Sequence, residues 1–195
     1  PIKPSSPYAA SKASADLLVM AAFRTHRQPV LITRCSNNYG PFQHPEKLIP
    51  LTILRASQDE TIPIYGQGTN IRDWIYVSDH CRGILAVLER GREGQAYNLG
   101  GNSERRNIDV AKTILSLLGK GEDLLRFVTD RPGHDQRYAI EYKKAEIELG
   151  WQPTVDFEGG LARTIRWYES HCDWLQQMAS DQFKQFCAKH YGEVR

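Results

Sequence analysis

The chain has 195 residues, which is one large domain, or one and a part, at roughly 150 residues per domain. Lysine and arginine number 25 against 23 aspartates and glutamates, a formal net charge of +2. That argues against a nucleic-acid binder driven by bulk charge and against an acidic, solvating chain. With 41% hydrophobic and 10% aromatic residues, the composition is that of an ordinary globular protein, not a disordered one. Four cysteines, at 35, 81, 172 and 187, form no CxxC pair and lie at no zinc-ligand spacing, so no metal site is expected. They read as reduced thiols, small buried hydrophobes of a cytoplasmic protein. No apolar run approaches the ~18–20 residues of a membrane span, and no charged-then-apolar signal opens the chain. It begins at Pro1 in a stretch that reads as the middle of a fold.

In chain order, Ser5 and Ser6 offer caps, Pro7 suits a first helical position, and a helix is predicted from Tyr8 to about His26. Val30 to Cys35 is a short buried strand, followed by a long loop through Asn37, Asn38, Tyr39, Gly40 and Pro41. Leu48 to about Ser57 is predicted helical, with Pro50 tolerated in its first turn. Ile62–Tyr65 and Ile71–Val77 read as strands, and Ser78 as the cap of a helix reaching Arg90. A strand at Ala96–Leu99, a helix at Ile108–Leu118, and strands at Leu125–Thr129 and Arg137–Tyr142 follow. A helix over Lys143–Leu149 ends at Gly150, and a longer amphipathic one runs from Phe157 to about Leu175. A last helix is predicted at Ser180–Tyr191, with Phe183, Phe186 and Cys187 on one face. Alternating helices and short strands define an α/β pattern, with too few parallel strands for a complete doubly wound sheet.

The first chemically informative constellation is Tyr8-Ala-Ala-Ser-Lys12. Positions i and i+4 share a helix face, and an ammonium beside a phenol favours the phenolate. Such a tyrosine can take a proton from a hydroxyl as hydride leaves the same carbon. Alone, this pattern is weak. Its surroundings are specific: Ser5-Ser-Pro-Tyr-Ala-Ala-Ser-Lys-Ala-Ser-Ala-Asp16, then Ser36-Asn-Asn-Tyr-Gly-Pro41. These segments resemble the extended short-chain dehydrogenase/reductase superfamily, the Rossmann enzymes that remodel nucleotide sugars. Within it the chain is similar to the dTDP-glucose 4,6-dehydratase family, over Cys35–Pro50, Pro63–Gly66, Ile71–Asp79, Tyr97–Gly101 and Thr129–Ile140. The resemblance runs from residue 4 to about 175.

That resemblance implies the C-terminal part of an extended Rossmann fold. Residues 1–41 would be a remnant of the NAD-binding domain, and 42–195 mainly the small substrate-binding domain, with some segments returning to the first. It implies a hydro-lyase that converts dTDP-glucose to dTDP-4-keto-6-deoxyglucose, a precursor of rhamnose and other deoxysugars. Hydride would pass from C4 to NAD, water would leave across C5 and C6, and hydride would return to C6. Tyr8 would be the catalytic base, Lys12 its partner and a ribose contact, and Asn38 a cofactor contact. The substrate-binding residues implied are Asn37, Lys47, Leu48, Pro63, Tyr65, Arg72, Asn107, Arg131 and His134. Arginine suits the diphosphate because its planar fork matches phosphate oxygens. A homodimer is implied as well, with Leu17, Met20 and Ala21 on the side of the Tyr8 helix that needs cover.

On residue chemistry alone, alternatives stay open. Arg72 could be a strand-edge charge, His134 a loop residue serving a turn, Tyr65 core, and Asn37 and Asn38 turn formers. Arg105-Arg106 reads as a solvated turn. The family's glycine-rich phosphate turn and its Thr-Asp-Glu segment find no match in this sequence, so the isolated chain is expected to be inactive. The other functional readings are a sister nucleotide-sugar epimerase or decarboxylase, and a non-catalytic module that binds a nucleotide sugar or only dimerises.

Overall fold

The computed structural model describes residues 3–178. The predicted helix at Ser180–Tyr191, with Phe183, Phe186 and Cys187, lies outside the described residues. The first helix, α1 (Pro7–His26), starts as its sequence dictates. Ser6 is extended, its side chain accepts from Ala9 N, and Pro7 fills the first turn, where a missing N–H costs nothing. None of its residues is buried, and Leu17 and Leu18 are 59% and 71% exposed.

Three small sheets follow. β1 (Leu31–Cys35) pairs in parallel with β5 (Gln95–Leu99). β4 (Ile71–Tyr76) is the centre of the second sheet. It pairs in parallel with β2 (Asn37–Tyr39) and β8 (Arg137–Tyr138), and antiparallel with β6 (Glu104–Arg106). β3 (Ile62–Tyr65) pairs in parallel with β7 (Leu125–Val128). The helices are α2 (Leu48–Ser57), α3 (Val77–Arg90), α4 (Asn107–Leu117), α5 (Lys143–Leu149), α6 (Phe157–Ser170) and α7 (Cys172–Met178). The α/β class read from the sequence holds.

β4 divides two cores by the period-two rule of strands. Trp74 packs with Tyr39, Ile49, Ile114, Phe157 and Leu161. Its neighbour Ile75 enters the other core, with Val87, Tyr97, Leu99 and Trp151. A third core joins Ala56 of α2 and Ala111 and Leu115 of α4 to Ile62 and Ile64 of β3. Gly101 is required where the chain passes over β4, because a Cβ there would lie 1.8 Å from the Trp74 carbonyl oxygen.

Two buried carboxylates of the Ile71–Asp79 segment hold loops. Asp73 accepts from Gly101 N at 3.0 Å and Ser103 N at 2.7 Å. Asp79 accepts from Thr154 N at 2.8 Å and Val155 N at 2.9 Å, and pairs with Arg82 at 2.5 Å.

Several expectations are corrected. Asn37–Tyr39 is a strand, not loop, because β4 supplies a parallel partner that is remote in sequence. Ser78 does not cap α3: β4 runs directly into the helix, Tyr76 takes the cap position, and no side-chain cap bond forms. The strand predicted over Arg137–Tyr142 is two residues long. The helix predicted from Phe157 to Leu175 breaks at His171 into α6 and α7. Arg105 and Arg106 belong to a strand, with Arg105 paired to Glu158 and Arg106 to Asp109. Cys81 and Cys172 are exposed and Cys35 half-buried, so burial does not account for these thiols. Among the described residues, no helix is long and apolar enough to cross a membrane.

Candidate functional site

A cavity of about 700 Å³ opens where the elements around β4 converge. Tyr8 reaches it from the first turn of α1 and Asn37 from β2. The segment before α2 contributes Gln43, Glu46 and Lys47, and α2 itself Leu48 and Leu51. Pro63, Ile64 and Tyr65 come from β3, Arg72 and Trp74 from β4, and Asn107 from the start of α4. Arg131 and His134, on the loop between β7 and β8, complete the wall. Ten of the residues singled out in the sequence therefore share one cavity: Tyr8, Asn37, Lys47, Leu48, Pro63, Tyr65, Arg72, Asn107, Arg131 and His134. Lys12 and Asn38 are not among the residues that line it.

Local rules explain the placement. Arg72 and Trp74 are two residues apart on one strand and so share a face. Tyr8 is one turn before Lys12, whose ammonium lies 5.8 Å from the phenol ring centroid. The phenol is 71% exposed. Phe42 adopts a left-handed backbone (φ 64°), and its ring packs on Trp167 at 4.6 Å and Trp174 at 5.8 Å. Tyr168 Oη donates to the Gln43 carbonyl at 2.7 Å. Together these contacts brace the segment that carries Gln43, Glu46 and Lys47.

The electrostatics are those of an anion site. Lys47 is also the cap of α2 and makes no side-chain cap bond, so the positive end of the α2 dipole faces the same region. Glu46 pairs with Lys47 at 2.7 Å and offsets part of its charge. The Arg72 N–H groups donate to carbonyls, of Ile71 at 2.7 Å and of Asp135 at 2.9 Å. Burial pulls its guanidinium below the ordinary value, partly opposed by Asp135, yet an arginine stays protonated. The Arg131 guanidinium stacks over the Tyr65 ring at 5.0 Å, and His134 meets the same ring edge-on at 6.2 Å. His134 Nδ1 lies 2.6 Å from Asp130 Oδ1, which holds the Asp130 carboxyl below the usual range. An aromatic platform thus adjoins three cations, an arrangement able to take a base and its attached phosphates.

Gln43 and Trp74 escaped the sequence reading. Each lines the cavity and has a buried polar atom, Gln43 Oε1 and Trp74 Nε1, with no hydrogen-bond partner; so has Asn107, through Oδ1. A tryptophan in a β-branched strand reads as core, so only its unpartnered N–H gives it away. Asn38 Oδ1 is likewise buried without a partner, while its amide donates to the Ser36 carbonyl at 3.3 Å.

The architecture is that of the extended short-chain dehydrogenases/reductases, in their C-terminal portion. The chain belongs to the family described as GDP-mannose 4,6 dehydratase, whose model matches residues 1–164. Among curated proteins it is 50% identical over 193 residues to the dTDP-glucose 4,6-dehydratase of Xanthomonas campestris pv. campestris, covering 94% of this chain and 55% of that protein. It is similar to dTDP-glucose 4,6-dehydratase 1 of Escherichia coli K12, at 47% identity over 96% of this chain and 54% of the other. The chain thus spans about half the length of the curated relatives it matches. Among solved structures, the dTDP-glucose 4,6-dehydratase of Streptomyces venezuelae with NAD bound superposes with a TM-score of 0.89. It is 49% identical, over 91% of this chain and 55% of that one.

Proposed function

We propose that this chain carries the substrate-binding part of a dTDP-glucose 4,6-dehydratase, together with the Tyr/Lys helix of its NAD-binding part. The division is near residue 41: 1–41 belong with the dinucleotide domain and 42–195 mainly with the substrate domain. The observation that carries this reading is the single cavity that joins Tyr8 to Arg72, Arg131 and the Tyr65–His134 platform. Tyr65 and Pro63 take the thymine, Arg72, Arg131 and Lys47 the diphosphate, and Asn37, Leu48, Asn107 and His134 the remaining walls of the nucleotide sugar. Tyr8 accepts the proton of the sugar 4-hydroxyl.

The residues present fit one end of NAD. Asn38 offers a buried, unpartnered acceptor, and Lys12 and Tyr8 offer an ammonium and a hydroxyl one turn apart. Lys12 and Tyr8 would hold the ribose and Asn38 the adjoining amide; the group, when bound, supplies reversible hydride acceptance. Leu17 and Leu18, exposed on α1, support a homodimer formed through that helix.

The test is turnover of dTDP-glucose by the full-length protein that carries this sequence, with NAD. The expected product is a 4-keto-6-deoxy sugar, with Tyr8→Phe lowering kcat about 10²–10⁴-fold. Epimerised but undehydrated sugar as the product would favour a sister enzyme instead. The 195 residues alone are expected to bind the nucleotide without turnover.

A further inference from the structure

We propose that Asp135 is a positioning residue that ties the Tyr8 helix to the Arg72 guanidinium of the same cavity. This rests on the reading of the cavity as the dehydratase site. Asp135 makes two sets of contacts, one through its backbone and one through its side chain. Its backbone carbonyl accepts from Arg72 Nη2 at 2.9 Å and from Asn70 Nδ2 at 3.3 Å, which fixes the loop to β4. Its carboxylate, through Oδ1, accepts from Ser5 Oγ at 2.9 Å. Ser5 directly precedes Ser6, the cap of α1, and Tyr8 is the second residue of that helix. One residue thus joins the anion-binding guanidinium and the proton-accepting phenol.

The tie matters because α1 is lightly held. None of its residues is buried, and its middle is anchored by a surface ion pair, Asp16 to Arg34 of β1, at 2.6 Å. Its first turn carries no acidic residue of its own, so the Asp135 carboxylate also supplies the negative charge that a helix N-terminus favours. Gly133 of the same loop comes within reach of Ser5 and Ser6: a Cβ placed there would lie 3.7 Å from the Ser5 carbonyl oxygen. Displacing a reacting group by about 1 Å can cost on the order of 10²-fold in rate, so a tie at the base of the Tyr8 turn acts on chemistry more than on binding.

The experiment measures kcat and nucleotide affinity, the latter by calorimetry with thymidine diphosphate, for Asp135→Ala, Asp135→Asn, Ser5→Ala and the double Ser5→Ala/Asp135→Ala variants of the full-length protein. Expected are a kcat about 10- to 100-fold lower for Asp135→Ala, with affinity within about twofold, because the carbonyl that holds Arg72 remains. Asp135→Asn, which keeps the acceptor, restores most of the rate. Ser5→Ala falls with Asp135→Ala, and the double variant is no slower than the single ones. An unchanged kcat in Asp135→Ala, additive losses in the double variant, or an affinity loss as large as the rate loss would overturn the inference. Ser5→Ala carries the test if Asp135→Ala does not fold, since Ser5 is exposed and precedes the helix. An inactive wild type would overturn the reading beneath it as well; an active one indifferent to these changes would overturn this inference alone.

Discussion

Three cations border the cavity, and each is restrained differently. Lys47 shares its charge with Glu46, Arg131 lies on the Tyr65 ring, and Arg72 gives its N–H groups to carbonyl oxygens that leave its charge intact. Arg72 is therefore the side chain best suited to an anion that needs a fixed fork. The loop that carries Arg131 is closed by the Asp130–His134 contact, and this sets a pH dependence. The Asp130 carboxyl is held below its usual range, first by the hydrogen bond with His134. A depressed carboxylate contributes fully above its unfolded value of about 4, and the contribution is lost as pH falls through the folded value. Hydrogen exchange of the Asp130–Asp135 amides is expected to be slow at pH 6 and to quicken below pH ~4, after correction for intrinsic rates. Asp130→Asn should abolish that change.

At the scale of elements, β4 and the start of α3 organise the molecule through their two buried carboxylates. Asp79 joins α3 to the 154–155 segment by two backbone N–H bonds. Asp79→Asn is expected to lower stability by about 1–3 kcal/mol in urea unfolding, with the cavity residues unaltered, because the amide that replaces the buried carboxylate matches its N–H donors poorly. An unchanged midpoint would contradict that role. The sequence showed the charged residues of Ile71–Asp79 but not this division of labour, in which Arg72 faces the cavity while Asp73 and Asp79 pin backbone. Helix α2 and strand β3 were legible to the residue, because their apolar runs are local and bounded by clear breakers. β2 was not, since Asn and Gly signal a turn and its pairing with β4 is long-range. The cap of α3 was misread for a related reason: no linking residue separates it from β4, so the serine lies inside the helix.

For the whole molecule, α1, α2, α4, strands β2, β3 and β4 and the β7–β8 loop meet at one cavity, and the residues that the family resemblance singled out converge there from seven separate segments. Ten of the cavity's lining residues were legible because they lie in short, specific motifs. Gln43 and Trp74 were not, because burial and a missing partner are properties of the folded chain. The most direct test is a calorimetric titration of thymidine diphosphate into the chain and into its Arg72→Ala variant. One saturable site is expected, weakened about 10- to 100-fold by the substitution, the range of a hydrogen-bonded charge at 1.5–3 kcal/mol. Absence of saturable binding, or equal affinity in the two proteins, would contradict a nucleoside diphosphate site built on Arg72.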